Sequence, residues 1–410
     1  MLADKGYPSK ANRAWLRERG IRATIPERDD QITNRRRRPG RPIDFGPAQQ
    51  HRYRGRNVVE RCFNKLKQWR GIAMRSDKTA RSYEAGICLA GRTSSRCILD
   101  GVADDARDAD DLPPRVSAPE LLAVGETMAM VAPMDGSRLV EAREFRLDAG
   151  GAESNVAAHV AALGHRSAWY SRLGDDALGD RILRQLEALG VDVSRVERDA
   201  EHPTGLYVKD PGHGVRYYRR GSAASHLTPE HAAQVDLDGV RILHLSGITA
   251  AISDTASAFL DALIDRAREA GVPVSFDVNH RAALWPLGVA ALRLRELAAR
   301  ADIVFVGRDE AETLWGTATA AGARAALPEP AELVVKDGDV GATLFDAEGE
   351  HFVPALEVEV VEAVGAGDAF AGGFLAARLA GGGPEECLTA GHERAALVLQ
   401  TTSDTIEETA

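Results

Sequence analysis

Six short apolar runs recur between residues 120 and 336: Leu121–Val124, Ala168–Leu173, Ile242–Ser246, Val274–Asp277, Ile303–Val306 and Leu333–Val335. Each has the length of a strand and lacks the alternation of a half-exposed one, so each reads as a buried strand. Between them lie amphipathic or alanine-rich stretches that read as helices: Asn155–Leu163, Leu178–Leu189, Ala256–Ala270, Ala290–Ala299 and Glu310–Trp315. Strand and helix alternating in this way predict an α/β fold, a mostly parallel central sheet with helices on both faces. Two stretches break the rhythm. SRLVEAREFRL (137–147) and TGLYVKDPGHGVRYYRRG (204–221) read as short, exposed antiparallel pieces. The second turns at Asp210-Pro211-Gly212 and is a hairpin. Such an excursion from an α/β core predicts a lid or an interface.

Upstream of residue 120 the pattern is lost. Asp100 to Asp111 holds six aspartates, Pro113-Pro114 follows, and no apolar periodicity is sustained, so residues 92–117 read as a solvated linker. Charge changes sign across it. Residues 1–100 carry 24 Lys/Arg and 10 Asp/Glu, a surplus of 14 positive charges in a chain of net charge −10, which leaves −24 for the remainder. Opposite signs point to separate units, and a basic piece is either a nucleic-acid surface or a solvated face. No apolar run approaches the roughly 18–20 residues that cross a bilayer. The N-terminus, with Asp4 and Lys5, lacks a leader's apolar core. Cys62, Cys88, Cys97 and Cys387 show no paired spacing. They read as reduced thiols of a cytoplasmic protein, with no metal implied.

The strongest chemical signal is VEAVGAGDAFAGGFLAARLAG (361–381), where Gly365, Ala366 and Gly367 run into Asp368 and then a helix. A small-residue loop opening a helix presents unpaired backbone N–H groups and the positive end of the helix dipole, an anion hole for a transferring phosphoryl group. Asp368 can take the proton of a hydroxyl attacking that group, or it can be an ordinary helix-capping aspartate. A second glycine-framed helix start, DAGGAESNVAAHVAALG (148–164), places Gly150 and Gly151 ahead of Asn155. The glycines let a polar ligand approach the backbone, and Asn155 offers a donor and an acceptor to sugar hydroxyls or acts as a cap.

Together these two segments resemble the PfkB/ribokinase family of carbohydrate kinases. GDDALGDRI (174–182), GRDEAETL (307–314) and VVKDGDVGATLF (334–345) follow in the family's order, and the likeness covers about residues 120–400. The resemblance implies a ribokinase-like fold with a small β-lid from about 137–148 and 204–221, Mg-ATP as phosphoryl donor and a sugar hydroxymethyl group as acceptor. It also implies a homodimer through the lid. Lys336, Gly338 and Gly341 fall in the nucleotide region, although Lys336 also reads as a strand-end lysine. Glu310 matches the acid that organises Mg²⁺, and equally a first-turn acid favoured by the helix dipole. Asp368 being present argues against a non-catalytic sugar-binding descendant.

Within the family the chain looks closest to 2-keto-3-deoxygluconate kinases, through VRYYRRGSAASHL (215–227) and FDVNHRAALW (276–285). The resemblance gives substrate contacts to Tyr217, Arg219, Asp277, Asn279 and Arg281. Two arginines suit a carboxylate, which a neutral sugar such as fructose or ribose lacks; as surface arginines they would do neither. Two positions depart from the family pattern. Glu362-Ala363 replaces Asp-Thr ahead of the glycine loop, which leaves a monovalent-cation site there unsupported. Gly307 replaces the asparagine that accompanies Glu310, which weakens the Mg²⁺ assignment.

Residues 1–91 resemble the C-terminal end of an insertion-sequence DDE transposase. Tyr53, Arg56, Glu60 and Lys67 stand at that family's signature spacing, and LADKGY carries a counterpart of its second catalytic aspartate, Asp4. The first carboxylate and its strand are missing, so this reads as an incomplete transposase fragment, with Arg35–Arg38 at most a non-specific phosphate contact. Functional nucleic-acid binding is not expected, and residues 118–410 hold every motif of the kinase. A chain beginning at Ala118 should keep KM and kcat. Unfolding, or a tenfold loss of turnover, would show that residues 1–117 are integral to the kinase.

Overall fold

The computed structural model describes residues 118–401. Asp4, Arg35–Arg38, Tyr53, Arg56, Glu60, Lys67, Cys62, Cys88, Cys97 and the 92–117 linker lie outside the described residues. Those described fall in one compact unit, Val116–Ala410.

The chain runs β1 (Leu121–Val124), β2 (Met128–Pro133), β3 (Phe145–Gly150), α1 (Ala152–Ala162), β4 (Ser167–Tyr170), β5 (Arg172–Gly174) and α2 (Ala177–Ala188). It continues through β6 (Glu197–Asp199), β7 (Leu206–Asp210), β8 (Gly214–Tyr218), α3 (Pro229–Gln234), β9 (Ile242–Ser246), α4 (Gly247–Ile252), α5 (Asp254–Ala270) and β10 (Val274–Asp277). Then come α6 (Leu287–Ala298), β11 (Ile303–Gly307), α7 (Arg308–Trp315), α8 (Ala320–Ala326), β12 (Glu332–Asp337), β13 (Gly341–Phe345), β14 (Glu350–Pro354), α9 (Ala366–Leu379) and α10 (Pro384–Leu399).

Eight strands form the central sheet in the order β14-β13-β12-β11-β10-β9-β1-β4. Pairing is parallel from β4 to β12 and antiparallel at the β12–β13–β14 edge. Apolar side chains fill both faces. On one, Phe259, Leu263, Leu294 and Leu314 of α5, α6 and α7 pack on Leu122, Leu243 and Phe276. On the other, Val156, Ile182, Phe374 and Leu388 of α1, α2, α9 and α10 pack on Leu121, Trp169 and Phe305. Burial on both faces explains why the strands read as unbroken apolar runs. Cys387 is a free, buried thiol whose pKa burial pushes up to about 11, which keeps it inert.

The lid differs from its expected bounds. It is a four-stranded sheet in the order β3-β2-β7-β8. Residues 137–144 form turns and loop, and only the end of that stretch enters β3. The missing strand is β2, whose MAMVAP is buried at five of six positions and so shows no alternation to mark it as separate from β1. The single strand expected over Ala168–Leu173 is two: β4 stays in the central sheet, while β5 pairs with β6. The helix at Asn155 starts three residues earlier, at Ala152.

Candidate active site

The sheet grows from β1 to β4 on one side and then, from β9 onward, on the other. The chain leaving β1 passes through the lid to α1 on one face, whereas the chain leaving β9 enters α4 and α5 on the other. Connections that diverge like this leave a crevice at the carboxyl ends of the strands. Parallel register puts Ser246 beside Asp277, and Gly307 beside Lys336, along that edge.

Two helix N-termini flank the crevice. Gly365 adopts φ +85, a left-handed turn that glycine takes without strain, and α9 starts at Ala366. Asp368 sits in the first turn, half-buried. α9 lies against α1 because Gly372 has no side chain: a Cβ there would stand 2.5 Å from His159 Cβ. On its other flank a Cβ at Gly373 would meet the Ala390 carbonyl oxygen at 2.3 Å, so α10 presses as closely. The approach of α1 and α9 lets Asn155 Nδ2 donate to Asp368 Oδ2 at 2.9 Å across 213 residues of sequence. Asn155 is buried.

Lys336 reaches into the same edge. Its Nζ lies 3.0 Å from Asp277 Oδ2, and a Cβ on Gly367 would be 3.6 Å from it. Burial works against the lysine's charge, but the Asp277, Glu310 and Asp368 carboxylates outweigh it and hold the pKa above the ordinary lysine value. Asp277 is buried, and its Oδ1 has no hydrogen-bond partner. Glu310 accepts from the backbone N–H groups of Gly307 and His280, both at 2.8 Å, so it caps α7 and anchors the loop after β10. Burial and then the Asp277 charge raise its pKa. In that loop Asn279 has φ +41, the only positive φ outside glycine among the described residues, and Arg281 is exposed. Lys336, Asp277 and Glu310 therefore stand together, next to Asp368.

The glycine pair does more than admit a ligand. A Cβ on Gly150 would overlap the Tyr207 hydroxyl at 2.1 Å, and one on Gly151 would meet Thr127 Oγ1 at 2.5 Å and the Glu126 carbonyl at 2.6 Å. These glycines let β2 and β7 of the lid pack on the start of α1. Tyr217 is exposed on β8, with the Arg219 guanidinium 5.6 Å from its ring centre. Gly338 and Gly341, expected at the nucleotide, have positive φ (+50 and +150) at the β12–β13 turn; Gly341 lies against the Val353 carbonyl.

Three polar groups of the site were not foreseen. Glu126, after β1, accepts from Arg219 Nε at 2.7 Å and Ser222 Oγ at 2.6 Å. Glu153, wholly buried in α1, accepts from Ser246 Oγ at 2.7 Å and Thr249 Oγ1 at 2.8 Å, and burial raises its pKa. Lys209 of the lid pairs with Glu362 at 2.7 Å, joining β7 to the stretch ahead of α9. An acid directly after an apolar strand and a glycine was the available signal for Glu126. Glu153 has the look of any first-turn acid.

Comparison with known proteins gives the family and the fold. Residues 118–410 match the family described as pfkB family carbohydrate kinase, and residues 1–92 match a transposase DDE domain. The 2-dehydro-3-deoxygluconokinase of Bacillus subtilis (strain 168) is 38% identical over 289 residues, 68% of this chain and 89% of the relative. The 2-dehydro-3-deoxygalactonokinase of Haloferax volcanii is 33% identical over 287 residues, 68% of this chain and 90% of the relative. A crystal structure of a PfkB protein from Polaromonas sp. JS666 superposes with a TM-score of 0.65 at 35% identity, covering 69% of this chain and 96% of that one. The fold is ribokinase-like and the chain is a carbohydrate kinase. The chain belongs to the PfkB family of carbohydrate kinases.

One buried base beneath the site gives a pH dependence. His244 is wholly buried next to Ser275, with Nδ1 3.0 Å from the hydroxyl, and desolvation pushes its pKa down to about 4. In the unfolded chain a histidine titrates near 6.5. Between those values the unfolded state binds the extra proton, so stability falls as pH drops from about 6.5 to about 4, by on the order of 3 kcal/mol. His244→Asn, which cannot titrate, should flatten that part of the profile in urea midpoints measured from pH 7 to 4.5. An unchanged slope would show that His244 is not the group responsible.

Proposed function

We propose that residues 118–410 transfer the γ-phosphate of ATP to the hydroxymethyl group of a sugar acid, with 2-dehydro-3-deoxygluconate (2-keto-3-deoxygluconate) as the first candidate. The observation that carries the kinase chemistry is the Asn155–Asp368 hydrogen bond at the start of α9. It holds the Asp368 carboxylate beside N–H groups left unpaired in the first turn. In this reading Asp368 takes the proton of the sugar hydroxyl as its oxygen attacks the γ-phosphorus. The first-turn N–H groups that follow the left-handed turn at Gly365 stabilise the charge on the transferring phosphoryl group. Lys336, beside Gly367, adds a positive charge at the same place. Mg²⁺, bound with the nucleotide, would neutralise the phosphates. Asp277, with an unpartnered buried oxygen, fits it better than Glu310, whose two oxygens are engaged by backbone N–H groups.

Two observations support an acid substrate. Arg281 is exposed on the loop after β10, and no acid of the described residues pairs with it. Arg219 follows β8 of the lid, and its guanidinium keeps donors beyond the edge that Glu126 engages. Tyr217, Asn279, Asn155 and the Gly150–Gly151 backbone complete the sugar pocket in this reading. Asp368→Asn should keep fold and ATP affinity while lowering turnover by roughly 100-fold or more, the scale of general-base loss. Near-normal turnover would remove Asp368 from the role of base. In an ATP-consumption assay against sugars and sugar acids, Arg281→Ala should raise KM for the acid far more than for its neutral analogue. Equal effects on both would make Arg281 structural and favour a neutral sugar.

A further inference from the structure

Glu126 stands where the lid joins the core. It follows β1 by two residues and precedes β2 by two. Its carbonyl lies against Gly151, the residue after β3, and its Oε1 would be 2.9 Å from a Cβ on Gly205, the residue before β7. Arg219, the residue after β8, donates Nε to its Oε2 at 2.7 Å and brings Nη2 to the same oxygen. Ser222 Oγ donates to Oε1 at 2.6 Å. One residue thus adjoins the base of all four lid strands: its carboxylate meets the residues flanking β7 and β8, its carbonyl the residue after β3, and its own chain leads into β2. The Glu126 side chain is 1% exposed and that of Arg219 10%, so both charges are withdrawn from water and compensate one another.

The Glu126 carboxylate is buried behind Arg219 and Ser222, out of reach of a sugar hydroxyl. Its effect on the substrate must pass through Arg219. A guanidinium presents five donors in a rigid fork. Glu126 engages the Nε/Nη2 edge and so fixes the plane of the fork before any ligand arrives. A long side chain held in this way loses little rotamer freedom when it meets a second acceptor.

We propose that Glu126 is a positioning residue for the sugar: it locks Arg219 at the root of the lid so that the guanidinium is preset for the substrate's acceptor groups. This rests on the reading that Arg219 meets the sugar. Glu126→Gln keeps the shape and removes the charge that holds the fork. In the full chain it should raise KM for the preferred sugar by roughly tenfold or more, the scale of misplacing a group by about 1 Å. kcat should stay within about threefold, and KM for ATP should not move. Glu126→Asp, which keeps the charge, should recover part of the loss. In an Arg219→Ala background, adding Glu126→Gln should change KM by less than about twofold, because coupled residues are not additive.

The same KM penalty with and without Arg219, or a parallel loss in kcat and ATP affinity, would overturn the proposal and leave Glu126 a structural staple of the lid. Should Glu126→Gln fail to fold by thermal melting, the cycle run with Glu126→Asp decides on the same criterion. The substrate reading is tested separately. If only a neutral sugar is turned over, the acid assignment fails, and the Glu126–Arg219 cycle measured with that sugar still decides this inference.

Discussion

Lys336 lies at the carboxyl edge of the sheet with Asp277 3.0 Å away and with Glu310 and Asp368 near enough to act on its charge. Carboxylates repel when they converge in a partly dehydrated crevice, and each would otherwise protonate or turn away. A strand-borne ammonium among them lets the arrangement persist before any ligand is present. Its position is set by β12 pairing in parallel with β11, which puts Lys336 level with Gly307 and two strands from Asp277, across β11. Sheet register therefore determines the electrostatics of the site, and a slip by one residue would move the ammonium to the opposite face.

Around that charge balance the fold uses small residues as spacers. Gly372 and Gly373 bring α9 against α1 and α10 at distances that no side chain would allow. Gly150 and Gly151 do the same between α1 and the lid. The two glycine-rich motifs that stand out in the sequence for their chemistry are thus equally packing devices. Asn155 and Asp368 can share a hydrogen bond only because the helices bearing them are that close.

Much of this was legible in the sequence. The parallel strands announced themselves because each is buried on both faces, and the hairpin at Asp210–Gly212 because turn residues punctuate it. What escaped was long-range or concealed. β2 is as apolar as a core strand, so alternation could not reveal that it belongs to the lid. The match to the kinase pattern pointed to Arg219 as a substrate residue, but no local signal ties it to Glu126, 93 positions away. Lys209 and Glu362 were equally invisible, since an ion pair leaves no imprint on periodicity. Glu310 was undecided between metal and helix roles, and its two backbone hydrogen bonds, one to a loop 30 residues distant, give it a structural task.

The 213 residues that separate Asn155 from Asp368 also order events in time. A ribosome adds roughly 5–20 residues per second, so about 10–40 s pass between the emergence of the amide and that of the carboxylate it will meet. Throughout that interval the flank of α1 destined for α9 must wait while its sheet and lid neighbours are made. Contacts this distant in sequence are also the slow ones to close. A chain interrupted between β14 and α9 would carry the whole lid and every strand of the central sheet yet lack Asp368, so on the proposed mechanism it would fold most of the site and turn nothing over.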